Sequence, residues 1–196
     1  MSDRMGWLLL TVGFVILVFF LGLPESILAA PPAVTTKVQM DVSKSTPRDV
    51  EDQTKEAVIR DYGKAWQSLE QALEQNRADL LATDFVGFAK DKWTQTVKAQ
   101  NSAKLSRRIV DHGHHLEVLF YSVDGSAMQL RDTAQLEVQY LDDGKVVHKE
   151  SMTARYLALL TPAENSWKVR ILQEIAPGGT QQEALAGVSG EGTGTN

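Results

Sequence analysis

The hydrophobic pattern of this chain changes period near Lys104, and that change limits the fold more than any other feature of the sequence. Before Lys104, apolar residues recur at spacings of three and four; after it, they alternate with polar ones. The first pattern gathers apolar side chains on one face of a helix, the second on one face of a strand. Helices that all precede the strands imply an α+β arrangement, with N-terminal helices packed on one face of a curved, cone-shaped antiparallel sheet.

Thr46-Pro47-Arg48-Asp49 has the residues of a helix start, since threonine caps, proline is accepted at the first helical position and an acid three residues on completes a capping box. Val58, Tyr62, Ala65, Trp66, Leu69, Ala72 and Leu73 then form one apolar face, with Lys55, Arg60, Lys64 and Glu70 on the other and Asn76 as the stop. A short turn of helix from Ala78 to Ala82 leads to a second long helix. There Phe85, Phe88, Ala89, Trp93, Val97 and Gln100 repeat the pattern as far as Lys104.

Strands are expected at Ser106 to Val110, His114 to Val123, Ala127 to Leu141, Val146 to Leu160 and Trp167 to Ile175. Asp124-Gly125 and Asp142-Asp143-Gly144 supply hairpin turns, where glycine takes positive φ freely. The strands from Ala127 and from Val146 are long enough to bend or bulge. Asp111-His112-Gly113-His114-His115 concentrates three of the four histidines and invites a metal reading. Gly113 marks it instead as an exposed turn between strands, and no metal or other cofactor is assigned.

The run Met5–Leu23 carries no charge and is long enough for a membrane-spanning helix, which needs about 20 apolar residues. It exceeds the roughly 7–15 apolar residues of a signal peptide, and Ile27/Ala29 and Leu28/Ala30 are poor small-x-small cleavage pairs. The sequence therefore reads as a retained anchor. Arg4 before the run and Glu25 after it place residues 1–4 in the cytoplasm and the rest across a bacterial inner membrane. Residues 24–45 read as a linker, residues 46–176 as the folded domain and residues 177–196 as a disordered tail poor in large apolar residues. A net charge of −5 and a pI near 5.4 give no electrostatic footprint for nucleic acid, and Arg107-Arg108 reads as a solvated strand end. The absence of cysteine excludes disulfides, thiol nucleophiles and cysteine-based zinc sites.

The helix motif Tyr62-x3-Trp66, the Phe85-x2-Phe88 to Trp93 helix, the strand ending Tyr121-Ser122-Val123-Asp124-Gly125, Ala154-Arg155-Tyr156 and the closing Trp167-Lys168-Val169 resemble the nuclear-transport-factor-2-like (SnoaL-like, cystatin-like) superfamily over Val50 to Ile175. The helix tryptophans, the late Arg-Tyr strand and Trp-Lys-Val are also similar to the domain that plastid-division proteins share with Tim44-type import proteins. One span before such a domain is the layout of type IV secretion assembly factors, which would predict a homodimer. Superfamily enzymes place an Asp or His base and a Tyr donor inside the cone, so the resemblance directs attention to Asp111, His115, Tyr121, Tyr140 and Tyr156. None of these stands in a diagnostic motif, and no phosphate loop, nucleophile elbow or His-Glu-x-x-His helix is present.

The side chains expected at a groove between helices and sheet are Tyr62, Trp66, Trp93, Tyr121, Tyr140 and Tyr156, with burial in the core as the competing role of the tryptophans and of Tyr62. The functional expectation is a membrane-anchored, non-catalytic module that docks a protein partner or an apolar ligand. A SnoaL-like enzyme on a small apolar substrate, and a secretion-system assembly factor, are the alternatives. Buried titratable groups converging at an open mouth would favour catalysis; an apolar, filled interior would favour docking.

Overall fold

The computed structural model describes residues 37–180, 182–184 and 186. The apolar run Met5–Leu23 lies outside the described residues, as do most of the linker and much of the tail. Among the described residues, no helix is long and apolar enough to cross a membrane.

Strand β1 (Val38–Asp41) is followed by α1 (Asp52–Gln75), a 3-10 turn at Ala78–Ala82, α2 (Gly87–Ser102), β2 (Leu105–Tyr121), β3 (Met128–Asp142), β4 (Lys145–Pro162) and β5 (Trp167–Glu174). The five strands form one sheet in the order β1-β2-β3-β4-β5. Strand β1 runs parallel to β2, and every other neighbouring pair is antiparallel. The expected α+β architecture is therefore the observed one.

All seven apolar positions expected on α1 are buried, and Asn76 ends the helix in the left-handed conformation with φ of 54°. The helix start differs from expectation: α1 begins at Asp52, with Glu51 at the cap, rather than at Thr46. The carbonyl of Thr46 accepts the N–H of Tyr121, and Ser45 Oγ donates to Arg48 O, so this stretch is tied to the end of β2 and cannot also coil. Glu70 departs from its expected solvent face as well, lying half-buried with Oε1 unpartnered.

The largest correction concerns residues 111–115. They are not an exposed turn; β2 runs unbroken through them, with a bulge between Asp111 and Gly113 opposite Leu136 and Gln135. Gly113 permits this at φ of 140°, and the N–H of His114 donates at 2.9 Å to the carbonyl of Lys37, the residue before β1. A Cβ at Gly113 would stand 3.2 Å from that same carbonyl, so the approach of β1 itself requires glycine. The extra residue turns His112 out and lets Asp111 and His114 both point inward.

Two terminal segments are more ordered than the linker and tail readings anticipate. Val38, Met40 and Val42 alternate with polar neighbours, and Val38–Asp41 adds the parallel edge strand. Ala184 is buried against Leu157 and Ile175 on the outer side of the sheet. Strand β5 pairs with β4 only from Tyr156 to Pro162, so the earlier part of β4 is a free edge whose tip exposes Val146 and Val147.

Candidate functional site

The concave side of the sheet and the apolar stripe of α1 enclose the core. Val58, Leu69, Leu116, Met128, Leu130 and Leu160 fill it without exposure. Within this apolar packing lies one polar group, centred on His114. Its Nδ1 lies 2.7 Å from Asp132 Oδ2 and its Nε2 lies 3.3 Å from Asp111 Oδ2, so each ring nitrogen faces a carboxyl group. The same Asp132 oxygen accepts the Tyr62 hydroxyl at 2.8 Å, and Asp111 Oδ1 accepts the N–H of Gly113 at 2.8 Å across the bulge. None of the His114 or Asp132 side chain reaches solvent.

Burial pulls the His114 pKa down, but the adjoining Asp111 and Asp132 carboxyl groups outweigh it and raise the pKa from 6.5 to about 9. The imidazole is therefore a cation at neutral pH. Trp66 lies against it, ring centroids 4.5 Å apart, and Tyr62 meets it edge-on at 5.9 Å. Two aromatic rings thus pack against the imidazole. Glu70 approaches from α1: burial and then the Asp111 charge raise its pKa from 4.5 to about 7, against the opposing effect of His114. Tyr62 is held far above its ordinary pKa, first by burial and then by the Asp132 charge.

A cavity of about 260 Å³ opens where α2 crosses the wide end of the sheet. Its walls are aromatic and aliphatic: Trp66, Trp93, Tyr140 and Tyr156 with Leu73, Ile109, Leu136, Val138 and Met152. Arg107, Glu150 and Glu174 supply its charges. Trp66 and Tyr156 meet edge-to-face at 5.3 Å, so Trp66 packs on His114 and also lines the cavity. Burial, then Glu174 and Asp132, push the Tyr156 pKa up, while Arg107 opposes them. His114, Asp132, Asp111 and Glu70 are absent from the cavity wall.

The structure brings together four of the six expected ligand-site residues, Trp66, Trp93, Tyr140 and Tyr156. Tyr62 lies instead in the buried network. Tyr121 sits at the far end of β2, 6.3 Å from the Trp167 ring with the Arg48 guanidinium 4.9 Å over its face, and has no part in the cavity. His115, the histidine considered as a base, is exposed. Arg107 is no solvated strand end, because it lines the cavity; only its neighbour Arg108 pairs outward, with Glu74 at 2.7 Å. Among the described residues, no group of three or more His, Asp or Glu is placed to hold a metal ion.

Sequence reasoning missed Asp132, Asp61 and Asp84. Asp61 accepts the N–H of Trp167 at 2.9 Å and so fastens α1 to the start of β5, while Asp84 accepts Ser68 Oγ at 2.5 Å and ties the segment before α2 to α1. Asp132 carried a readable signal. Extending the inward alternation Leu136, Ala134 back by one step lands on it, an acid in a core register.

No family model matches the chain, and no curated protein matches it. Solved structures do. The intermembrane-space region of chloroplast protein ARC6 superposes with a TM-score of 0.56 at 16% identity, over 67% of this chain and all, 100%, of that one. A putative scytalone dehydratase from Novosphingobium aromaticivorans gives 0.44 at 13% identity, covering 63% of this chain and 88% of that one. A protein of unknown function with a cystatin-like fold from Nostoc punctiforme gives 0.40 at 9% identity, covering 65% and 93%. At 16% identity the likeness to the ARC6 region shows a shared α+β fold and no function.

Proposed function

We propose that this chain is a non-catalytic binding module whose mouth cavity receives an apolar or aromatic group, and that the run Met5–Leu23 tethers it to a membrane with the domain outside the cytoplasm. One observation carries the binding reading: His114 and the Asp111 and Asp132 carboxyl groups gathered on it are absent from the cavity wall. A general base must be unprotonated and within reach of a substrate proton. His114 is a cation at neutral pH with a carboxyl group on each ring nitrogen, which fits a structural role. The cavity, by contrast, has the apolar lining with few polar groups that ligand sites share. Tethering rests on the length and lack of charge of the N-terminal run, and it raises the domain's effective concentration toward anything else at that surface.

A photo-crosslinking amino acid placed at Trp93 in the mouth and, separately, at His115 on the outer face of the sheet tests the binding reading in intact cells. A discrete product captured from Trp93 and not from His115 supports it. Equal capture from both positions, or none from Trp93, contradicts it. Carbonate extraction and the intact mass of the mature chain test the tether, which fails if the product begins near Pro31.

A further inference from the structure

We propose, resting on the cavity reading above, that the mouth cavity selects a small apolar carboxylic acid, with Arg107 as the group that recognises its carboxylate and the Trp66 and Trp93 rings as apolar wall.

Arg107 lines the same space from β2 and is half-buried. Its Nε donates to Gln100 Oε1 at 3.0 Å, and Gln100 Nε2 donates in turn to Asn76 Oδ1 at 2.6 Å, so the guanidinium is held in place from the ends of both helices. Among the described residues, no carboxylate forms an ion pair with it. A guanidinium so oriented, with its terminal nitrogens left over, suits the paired hydrogen bonds of a carboxylate.

Glu150 and Glu174 also face the cavity and carry the opposite preference. Both are exposed, and Glu150 already lies 3.4 Å from the Tyr140 hydroxyl that donates to it. Charges at a wet rim act through a high dielectric and count for less than a half-buried guanidinium deeper in the wall. Rim acids then serve to disfavour polyanions and leave room for a single carboxylate. Size narrows the class further. About 260 Å³ is below the roughly 300–1,000 Å³ of pockets for drug-sized ligands, so the acid is a small one.

A matched trio separates the possibilities: 3-phenylpropionate, 3-phenylpropan-1-ol and 3-phenylpropylammonium, titrated by calorimetry into the full chain in an uncharged maltoside detergent and into detergent alone. The carboxylate is expected to bind at least about tenfold more tightly than the alcohol, in line with a charge-assisted pair. Arg107→Gln should abolish that preference and bring the carboxylate to the alcohol's affinity. An unchanged Tm for this variant shows that the fold is intact. Equal binding of carboxylate and alcohol, tighter binding of the ammonium, or an Arg107→Gln protein that retains the preference overturns the carboxylate assignment and leaves the cavity reading standing. If none of the three binds, the cavity reading falls with it.

Discussion

The sealed and open parts of the cone interior use polar groups in opposite ways. Around His114, two carboxyl groups gather on one imidazole and a tyrosine hydroxyl donates to one of them, inside an apolar wall. At the mouth, the Arg107 guanidinium and two exposed carboxylates line open space, and among the described residues no ion pair joins them. The difference teaches how to separate structural polarity from recognition in a fold that hosts several functions. Carboxyl groups gathered on one buried imidazole hold the scaffold; a guanidinium with its terminal nitrogens left over along a cavity is there for something else.

Substitution of the two helix tryptophans is the sharpest way to break this contrast. Trp66 is 1% exposed and packs on His114, so Trp66→Ala should cost about 3–5 kcal/mol in chemical denaturation. Trp93 is half-buried at the cavity, and Trp93→Ala should cost well under half as much while altering binding. Equal losses would merge the two regions. His114→Gln should rank close behind Trp66→Ala, at roughly 3 kcal/mol or more, because it leaves Asp111 and Asp132 buried without their counter-charge. A smaller effect, about 1–3 kcal/mol, is expected of Gly113→Ala, which meets the left-handed φ and the Lys37 carbonyl together. Stability near that of the parent would mean the bulge is not fixed by β1.

The pH dependence sharpens the same comparison with the smallest signal. His114 has its pKa raised by folding, so its contribution is fully present below about 6.5 and is lost as pH rises through about 9. Glu70 is also raised, from 4.5 to about 7, and favours the folded state below 4.5, losing that contribution as pH rises through 7. Tm should therefore decline in two overlapping stages, the first as pH rises from about 4.5 to about 7 and the second from about 6.5 to about 9. Glu70→Gln should remove the earlier stage alone, and a profile unaltered by that change would contradict the burial of Glu70.

Much of the scaffold was legible because its patterns are long. The apolar face of α1, its stop at Asn76 and the hairpins at Asp124-Gly125 and Asp142-Asp143-Gly144 follow from periodicity and turn chemistry alone. Local signals failed where tertiary contacts decide. Gly113 reads as a turn in isolation, yet with β1 alongside it becomes a bulge inside one strand. Strand β1 was hidden because four residues carry too little alternation, and its pairing partner lies more than seventy positions away. Four cavity residues were legible as aromatics on apolar faces, but which tryptophan is sealed and which is open depends on where α2 crosses the sheet. Arg107 was illegible for the same reason.

The account stands or falls on the state of His114, which nitrogen-15 NMR of the histidine rings reads directly. At pH 7.5 both ring nitrogens should carry protons, with titration only near 9 and no response to a molecule bound in the cavity. A His114 ring that titrates near 6.5, or that loses a proton when the cavity is filled, would show it exchanging protons with the site and would contradict the separation of scaffold from recognition.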